Sequence, residues 1–370
     1  MEEQPRIIIS GGGTGGHIFP AIAIANAIRE LTPGAKLLFV GAQDRMEMQR
    51  VPAAGYEIVG LPVRGFARPL WSPKNVGVII DYLKSMRQVG ALIKQFRPDV
   101  AVGVGGYASG ATLDAASSRG IPCLIQEQNS YAGVTNKHLA RKVRTICVAY
   151  DGMERFFPKD KIVKTGNPVR QSLLDTAFTK EGAVRSFGLD PSRRTILIVG
   201  GSLGAKTINE SVMRHIDTVR DSNAQFIWQT GKYYNAAIME SIGKMPRVSN
   251  LVVTDFISDI GAAYKASDLV ISRAGASSIS EFCLLGKPVI LVPSPNVAED
   301  HQTKNAMALV DKGAALYVKD AEAADTLLPL AVATVNDKSK LKQLSNNILT
   351  LALPNSAKMI AEEVLKLIKK

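Results

Sequence analysis

Short apolar runs, each followed by a glycine cluster and then by apolar residues at helical spacing, set the pattern of this chain. The first run, Arg6–Ser10, is rich in isoleucine and leads into five glycines within residues 11–16. Apolar residues from Ile18 to Ile28 then recur at the spacing of one helix face. A second apolar run follows at residues 36–40, so the order strand, glycine turn, helix, strand predicts a parallel α/β fold.

The same unit occurs again about half a chain later. An apolar run at residues 195–199 is followed by a glycine loop at 200–205, a helical pattern at 206–216 and a strand pattern at 225–229. Two copies of this unit predict two Rossmann-like domains. Further runs typical of strands lie at residues 100–103, 122–126, 269–271 and 288–292.

The organisation of these units predicts where the domains begin and end. We expect an N-terminal domain at residues 1–166 and a C-terminal domain at residues 167–352. The expected linkers are the glycine-proline segment 166–168 and the polar stretch 175–194. Residues 353–370 predict an amphipathic helix, which can pack on either domain and is assigned to the N-terminal one.

Composition places the chain among ordinary globular proteins. Its 370 residues are 46% hydrophobic and 21% charged, which excludes a disordered or fibrous chain. Three well-separated cysteines form no C-x-x-C pair, so a zinc ribbon or a disulfide framework is not expected. No apolar run approaches the roughly 18 residues of a membrane span. The first residues lack a signal-peptide pattern, so we expect the chain to stay in the cytoplasm.

Net charge indicates an anionic partner. Lysine and arginine exceed aspartate and glutamate by 45 − 33 = 12, which suits nucleic acid, an acidic membrane face or a phosphorylated substrate. Aromatic residues make up only 6%, which argues against a base-stacking nucleic-acid protein. Residues 64–94 mix apolar and basic side chains; this favours an anionic lipid surface and a core-facing helix with a solvated basic face about equally.

The first glycine loop has the composition of an anion-binding turn. Gly11, Gly13 and Gly16 fit the dinucleotide pattern G-x-G-x-x-G, but Asp44 is a poor match for the acidic residue that this pattern needs after the second strand. No lysine follows the glycines, which excludes a Walker A loop. His17 stands at the start of the following helix, whose dipole favours the neutral ring, so it is either a general base or a packing residue.

A second glycine loop, residues 103–110, follows another strand of the same domain. Both loops should open at the carboxyl edge of one sheet, where together they can surround a diphosphate. A glycine-rich connection without a ligand is the alternative. The amide-rich segment 126–129 follows a further strand and suits the hydroxyl groups of a sugar.

The C-terminal half carries two more phosphate-loop candidates. Ser202 lies in the loop 200–205, and residues 272–281 follow a strand and open a helix. Ser278 and Glu281 fit the S-x-x-E capping box, so Glu281 by itself favours a helix cap. Only four histidines and no D-x-D sequence occur, so we expect neither a divalent metal site nor a cofactor.

Six ordered segments together resemble the MurG family of bacterial peptidoglycan glycosyltransferases. They are Gly12 to Pro20, Gly105 to Tyr107, Glu127 to Asn129, Gly166 to Arg170, Gly200 to Ala205 and Asp300 to Gln302. The resemblance implies the GT-B fold, two Rossmann-like domains that face each other across a cleft. It also implies transfer of N-acetylglucosamine from UDP-N-acetylglucosamine to an undecaprenyl-diphosphate-linked muramoyl-pentapeptide, with the donor mainly on the C-terminal domain and the acceptor on the N-terminal one.

The resemblance also implies roles for individual residues. Positions that match the family's contacts to UDP-N-acetylglucosamine are Arg170, Ser202, Ile257, Ala276, Ser277, Ser278, Ile279, Ser280, Glu281 and Gln302. Thr14, Gly15, Gly16 and Asn129 match family positions at the sugar and the reaction centre, and His301 matches a sugar contact at which some members carry glutamine. The backbone of Ile257 would read the uracil, and Glu281 would bind ribose hydroxyls in addition to capping the helix. Gly105, Gly106 and Tyr107 are assigned to the diphosphate of the acceptor.

The family's reaction implies a single displacement with inversion at the anomeric carbon. His17 is the candidate base for the acceptor's C4 hydroxyl, and Glu127 is the alternative. Amides of residues 276–281, with Ser202 and Arg170, would stabilise the leaving diphosphate without a metal. The resemblance favours peripheral docking on the cytoplasmic face of the cell membrane, near cell-wall synthesis proteins. The competing functions are a UDP-sugar enzyme with a soluble substrate such as an epimerase, a dinucleotide-dependent oxidoreductase and a non-enzymatic anion-binding protein.

Overall fold

Every strand of the described chain lies parallel to its neighbours, in one of two sheets. This computed structural model describes residues 4–65, 73, 75–169, 173 and 177–368. The chain divides into a first unit, Met1–Val169 with Leu353–Lys370, and a second unit, Arg170–Ala352. Parallel strands need helical crossovers, and helices alternate with strands in both units.

The described strands number seven in the first unit and six in the second. The first unit contains β1 (Arg6–Ser10), β2 (Lys36–Ala42), β3 (Glu57–Leu61), β4 (Val100–Gly103), β5 (Cys123–Glu127), β6 (Thr145–Val148) and β7 (Ile162–Lys164). The second contains β8 (Thr195–Val199), β9 (Gln225–Gln229), β10 (Leu251–Thr254), β11 (Leu269–Ser272), β12 (Val289–Leu291) and β13 (Leu316–Tyr317).

The α-helices of the described residues connect most of these strands, and three of them follow β13. They are α1 (Gly15–Leu31), α2 (Glu47–Ala53), α3 (Asn75–Phe96), α4 (Tyr107–Ser117), α5 (Val134–Leu139), α6 (Lys180–Ser186), α7 (Lys206–Arg214), α8 (Ile216–Asp221), α9 (Asn235–Gly243), α10 (Ile260–Ala266), α11 (Ala276–Leu285), α12 (His301–Val310), α13 (Ala323–Asn336), α14 (Lys338–Leu349) and α15 (Ser356–Ile368). None of these helices combines the length and the hydropathy that a membrane span requires.

Strand order places the glycine loops at equivalent points of the two sheets. The orders are β3-β2-β1-β4-β5-β6-β7 and β10-β9-β8-β11-β12-β13. Chain direction across the sheet reverses between β1 and β4, and again between β8 and β11. Ligands of doubly wound sheets bind outside the carboxyl ends of the strands at this switch point. The loops after β1, β4, β8 and β11 are therefore the places where chemistry is expected.

The central strands are apolar because both of their faces are covered. Ile7, Ile8 and Ile9 of β1 are completely buried, as are residues 196–198 of β8. Such continuous apolar runs are typical of parallel strands that lie between two helical layers. The last helix completes one of these layers, because Ile360 and its neighbours on α15 pack into the core that α1 also covers.

The expected fold class, α/β with two Rossmann-like domains, is confirmed. Two local predictions were wrong. The stretch 175–194, expected to be a linker, contains α6, whose Ala183 and Val184 are buried in the second unit. The helix expected over 206–216 ends at Arg214, and α8 begins at Ile216. Of the basic and apolar stretch 64–94, residues 66–72 and 74 lie outside the described residues.

A buried carboxylate fixes the start of the central strands in the second unit. Asp268, just before β11, accepts hydrogen bonds from Lys180 Nζ at 2.5 Å, Arg194 Nη1 at 2.6 Å and the Thr195 amide at 3.0 Å. Burial alone would raise the pKa of Asp268, but the bonds from Lys180, Thr195 and Arg194 outweigh it and hold the pKa below the ordinary value of 3.8. The ionised carboxylate therefore stabilises the fold at neutral pH.

Asp268→Asn should lower the free energy of unfolding at pH 7 by about 2–3 kcal/mol, because two cations lose a charged partner. The native pKa is lowered, so this contribution is present above the ordinary carboxyl value and is lost as the pH falls below it. The difference between variant and wild type should therefore shrink with acidification. Urea unfolding followed by tryptophan fluorescence measures this difference, since Trp228, one of the two tryptophans, is buried in the second unit.

Asp217→Asn is the matched control, because Asp217 pairs with Arg220 on the surface and exposed ion pairs contribute little. An equal loss of stability in both variants would contradict the role of the buried carboxylate.

Candidate functional site

The two glycine loops of the first unit touch each other at the switch point of the sheet. A Cβ on Gly106 would lie 2.5 Å from the carbonyl oxygen of Gly12, and Gly106 has a φ of +86°. Both the close approach and the left-handed backbone exclude a side chain here. The loop after β1 and the loop after β4 therefore form one surface, as the sequence predicted for residues that share a sheet edge.

His17 lies in the first turn of α1 and packs against the second loop. A Cβ on Gly105 would lie 2.8 Å from the imidazole Nδ1 atom, so the ring lies directly on this glycine. Nδ1 is 3.1 Å from Oε1 of Gln128, whose Nε2 donates to the Val104 carbonyl oxygen at 2.9 Å. Since an amide oxygen only accepts, this network places the proton on Nδ1 and the lone pair of the neutral ring on Nε2.

A chain of buried amides holds Gln128 in place. Gln126 Nε2 donates to Oδ1 of Asn167 at 3.0 Å, and Asn167 Nδ2 donates to the backbone oxygen of Gln128 at 3.0 Å. The sequence assigned segment 126–129 to sugar hydroxyls. The structure instead buries Gln126 and Gln128 behind His17, where they orient the ring. Asn129 is only half-buried, and its position is compatible with a ligand contact.

Glu127 is turned into the protein. Its Oε1 accepts from the amide and the side chain of Asn129 at 3.0 and 3.3 Å, and its Oε2 accepts from the Gly133 amide and from Asn136 Nδ2, both at 2.9 Å. Four donors around a buried carboxylate fix the turn that carries Asn129. This geometry supports a positioning role and gives no support to Glu127 as the alternative base.

The remaining candidates of the first unit surround His17. Thr14 and Gly16 are exposed and Gly15 is half-buried, at the N-terminus of α1. The ring of Tyr107, which begins α4, lies on Gly65 and is 48% exposed. Two helices thus begin at this edge of the sheet, and the N-terminal amides of α4 favour a negatively charged ligand there. Sequence reasoning missed Glu47, whose carboxylate accepts the Gly13 amide.

In the second unit, the loop after β8 is held by close backbone packing. A Cβ on Gly204 would lie 2.2 Å from the Thr230 oxygen, and one on Gly231 would lie 2.1 Å from the Gly204 nitrogen. The loop leaves Ser202 exposed at the carboxyl edge of the sheet. This position is compatible with the predicted hydrogen bond from Ser202 to a phosphate.

The helix after β11 begins differently from the sequence prediction. Its N-cap is Gly275 and its first residue is Ala276, so Ser278 lies inside the helix and the predicted capping box is wrong. The amides of the first turn, which includes Ser277 and Ser278, have no acceptor one turn earlier within the helix. Glu281 is buried and accepts the Tyr264 hydroxyl at 3.0 Å, so its side chain helps to pack the helix.

Arg273 makes the loop before this helix rigid. Nη1 donates to the carbonyl oxygens of Val292 at 3.0 Å and Pro293 at 3.2 Å and forms an ion pair with Asp320. Nη2 also donates to the Thr207 hydroxyl at 3.2 Å. With these partners Arg273 positions the backbone of its own loop. Arg170, the predicted phosphate ligand, lies outside the described residues.

The other predicted donor contacts of the second unit lie in loops and helix starts. Ile257 is buried between β10 and α10, so only its backbone is suited to a ligand. Gln302 Oε1 accepts the Ser294 amide at 2.9 Å, and the half-buried His301 begins α12. Ser280 donates to the Ala276 oxygen at 3.0 Å, and Ile279 is buried. Across the ranges that the structure describes, no group of three or more His, Cys, Asp or Glu side chains could hold a metal.

Comparisons with known proteins agree with these two regions. Residues 7–148 match the glycosyltransferase family 28 N-terminal domain, and residues 195–364 match the glycosyltransferase family 28 C-terminal domain. A protein of Bacteroides thetaiotaomicron is 65% identical over 99% of both chains. It is named UDP-N-acetylglucosamine--N-acetylmuramyl-(pentapeptide) pyrophosphoryl-undecaprenol N-acetylglucosamine transferase.

Solved structures with lower sequence identity share the fold of this chain, and one of them is a MurG enzyme. The crystal structure of Acinetobacter baumannii MurG is 28% identical, with a TM-score of 0.79 over 98% of this chain and 99% of that one. A UDP-GlcNAc 2-epimerase of Neisseria meningitidis has a TM-score of 0.67 over 98% of this chain and 100% of that one, but at 15% identity it shows the fold alone. The chain therefore belongs to glycosyltransferase family 28 and, within it, to the MurG enzymes.

Proposed function

We propose that this chain transfers N-acetylglucosamine from UDP-N-acetylglucosamine to the C4 hydroxyl of undecaprenyl-diphosphate-linked muramoyl-pentapeptide, a step of peptidoglycan synthesis. The observation that carries the proposal is the pair of touching glycine loops with His17 oriented between them by Gln128. The relative at 65% identity bears the name of this transferase.

The reaction is one in-line displacement at the anomeric carbon. The acceptor oxygen forms the new bond to that carbon on one face while the bond to the UDP oxygen breaks on the other, which inverts the configuration. The proton of the hydroxyl passes to Nε2 of His17. This nitrogen carries the lone pair because the hydrogen bond to Gln128 holds the ring's own proton on Nδ1. No oxidant or cofactor takes part, and the electron pair of the broken bond leaves with UDP.

Charge that develops on the leaving diphosphate is stabilised by residues of the second unit. The first-turn amides of α11, the Ser202 hydroxyl and Arg170 are the proposed donors, with Glu281 and the backbone of Ile257 at the ribose and the uracil. Helix amides that are fixed before the reaction stabilise an anion without reorganisation. The close packing of Gly204 and the anchoring of Arg273 support this role, because both hold the loops rigid.

The acceptor's own diphosphate is assigned to the second glycine loop of the first unit. The left-handed turn at Gly105 and Gly106 leads into α4, the N-terminus of α4 attracts the diphosphate, and Tyr107 flanks it. Thr14, Gly15 and Gly16 then contact the sugar at the reaction centre.

His17→Ala should lower the rate of transfer by about 10²–10⁴-fold, the range usual for loss of a general base. The measurement is transfer of radiolabelled N-acetylglucosamine from UDP to the lipid-linked acceptor, with EDTA present throughout. His215→Ala is the control, because His215 lies on the second unit and contacts the Ser211 oxygen at 3.1 Å.

Equal rates for wild type and His17→Ala would keep the function but remove His17 from the base role. No transfer by wild type, together with binding of UDP-N-acetylglucosamine, would refute the proposed acceptor and favour a soluble-substrate enzyme of the same fold.

We also propose that α3 docks the chain on the cytoplasmic face of the membrane. Its exposed side chains include an apolar stripe at helical spacing: Val76 61%, Ile79 51%, Ile80 48% and Leu83 54% exposed. Lys84 and Arg87 are exposed on the same helix. An apolar stripe with cations beside it is suited to an anionic lipid interface, and the acceptor's lipid tail lies in that bilayer.

The docking helix is fixed to the helix that begins with Tyr107. Tyr82, beside Leu83, donates to Asp114 of α4 at 2.5 Å. Asp114 also lies 2.8 Å from Nε2 of His138 and accepts from Lys142 at 2.5 Å. A helix anchored in this way keeps its apolar stripe at a constant position relative to the second glycine loop, which supports a role in presenting a membrane-bound acceptor.

Replacing Ile79 and Leu83 together by Ser should reduce binding to vesicles that contain phosphatidylglycerol by at least about tenfold, because apolar area no longer enters the bilayer. Sedimentation with vesicles measures the binding. The KM for the acceptor in vesicles should rise while the KM for UDP-N-acetylglucosamine stays constant. Met239→Ser is the control, since Met239 is similarly exposed on the second unit; equal losses in both variants would contradict docking by α3.

A further inference from the structure

A fully buried carboxylate lies directly beneath the first glycine loop. Glu47, the first residue of α2, has no solvent exposure. Its Oε1 accepts the amides of Gly13 and Ala42, each at 3.0 Å, and its Oε2 lies 3.2 Å from the same Gly13 amide. The side chain therefore joins the turn after β1 to the end of β2.

The backbone on both sides packs closely against this side chain. A Cβ on Gly12 would lie 2.0 Å from Glu47 Oε1, and a Cβ on Gly41 would lie 2.7 Å from its Cγ. The space that Glu47 occupies thus explains why residues 12 and 41 are glycines. This glutamate also stands near the point in the sequence where the dinucleotide pattern needs an acidic residue for the ribose, but it faces the loop instead.

The position of the carboxylate changes what the loop can bind. In a dinucleotide site the amides of this turn bind pyrophosphate. Here Glu47 already accepts the hydrogen bond of the Gly13 amide, and its negative charge repels a second anion at the same turn. An uncharged hydroxyl or sugar has no such conflict.

The same bond fixes the helix that carries His17. Gly13 is followed by Thr14, whose carbonyl oxygen accepts the His17 amide at 3.1 Å. Gly12 in turn touches Gly106 of the second loop. A change in the turn at Gly13 therefore moves both the start of α1 and the surface against which the second loop packs.

We propose that Glu47 is a positioning residue, which holds the first glycine loop in its catalytic shape and reserves it for the uncharged sugar, so that diphosphate binds the second loop. This inference rests on the proposed transfer reaction.

Two variants separate the two parts of the proposal. Glu47→Gln keeps the size of the side chain and removes the charge, whereas Glu47→Asp keeps the charge and is too short to reach both amides. Both should lower kcat by about 10–100-fold, as expected for a small displacement of catalytic groups. The KM for UDP-N-acetylglucosamine should stay within about twofold, because the nucleotide contacts lie on the second unit.

Inorganic pyrophosphate, tested as an inhibitor competitive with the acceptor, measures the charge effect. Glu47→Gln should bind it at least about threefold more tightly than wild type, and Glu47→Asp should not. Glu57→Gln is the matched control, because Glu57 is exposed on the neighbouring strand β3. Melting temperatures within about 5 °C of wild type establish that the variants are folded.

Wild-type kcat in Glu47→Gln and Glu47→Asp, or a loss confined to the KM for UDP-N-acetylglucosamine, would refute the positioning role. Reduced kcat with unchanged pyrophosphate inhibition would retain positioning and refute the exclusion of diphosphate. An inactive wild type with intact UDP-N-acetylglucosamine binding would instead show that the proposed function itself has failed.

Discussion

The close approach of two backbone segments at the switch point of the first sheet is the constraint on which this site depends. Gly106 lies so near the Gly12 oxygen that no side chain fits, and its φ is one that L residues rarely adopt. Once these two loops touch, the starts of α1 and α4 are brought to one place, and His17 is set against Gly105. The glycine clusters are therefore explained by contact between loops as well as by contact with a ligand.

The choice of an amide as the partner of His17 also has a chemical reason. A carboxylate at the position of Gln128 would stabilise the protonated imidazole, in which both nitrogens are donors. An uncharged amide oxygen orients the ring without that effect and leaves the neutral form able to accept a proton. The buried chain through Gln126 and Asn167 fixes the amide, so the orientation of His17 is determined by residues that are themselves buried.

Sequence patterns predicted the features that depend on local geometry. The runs at Arg6–Ser10 and Thr195–Val199 are strands at the expected residues, because buried parallel strands are continuously apolar. The capping box failed because S-x-x-E joins two residues three apart whether they start a helix or lie inside it. Glu47 was missed because its partners, Gly13 and Ala42, come together only when the sheet forms.

The two units share one strand order around their glycine loops but hold those loops with different charged side chains. An ionic ligand needs donors that are already in place, since turning them toward it during the reaction would cost free energy. In the second unit, the guanidinium of Arg273 donates to carbonyl oxygens and pairs with Asp320. It therefore makes its loop rigid, and its charge is already balanced by Asp320. In the first unit, the carboxylate of Glu47 accepts a hydrogen bond from the Gly13 amide, a donor that would otherwise attract phosphate. In both cases hydrogen bonds between a charged side chain and backbone groups hold a loop in its shape.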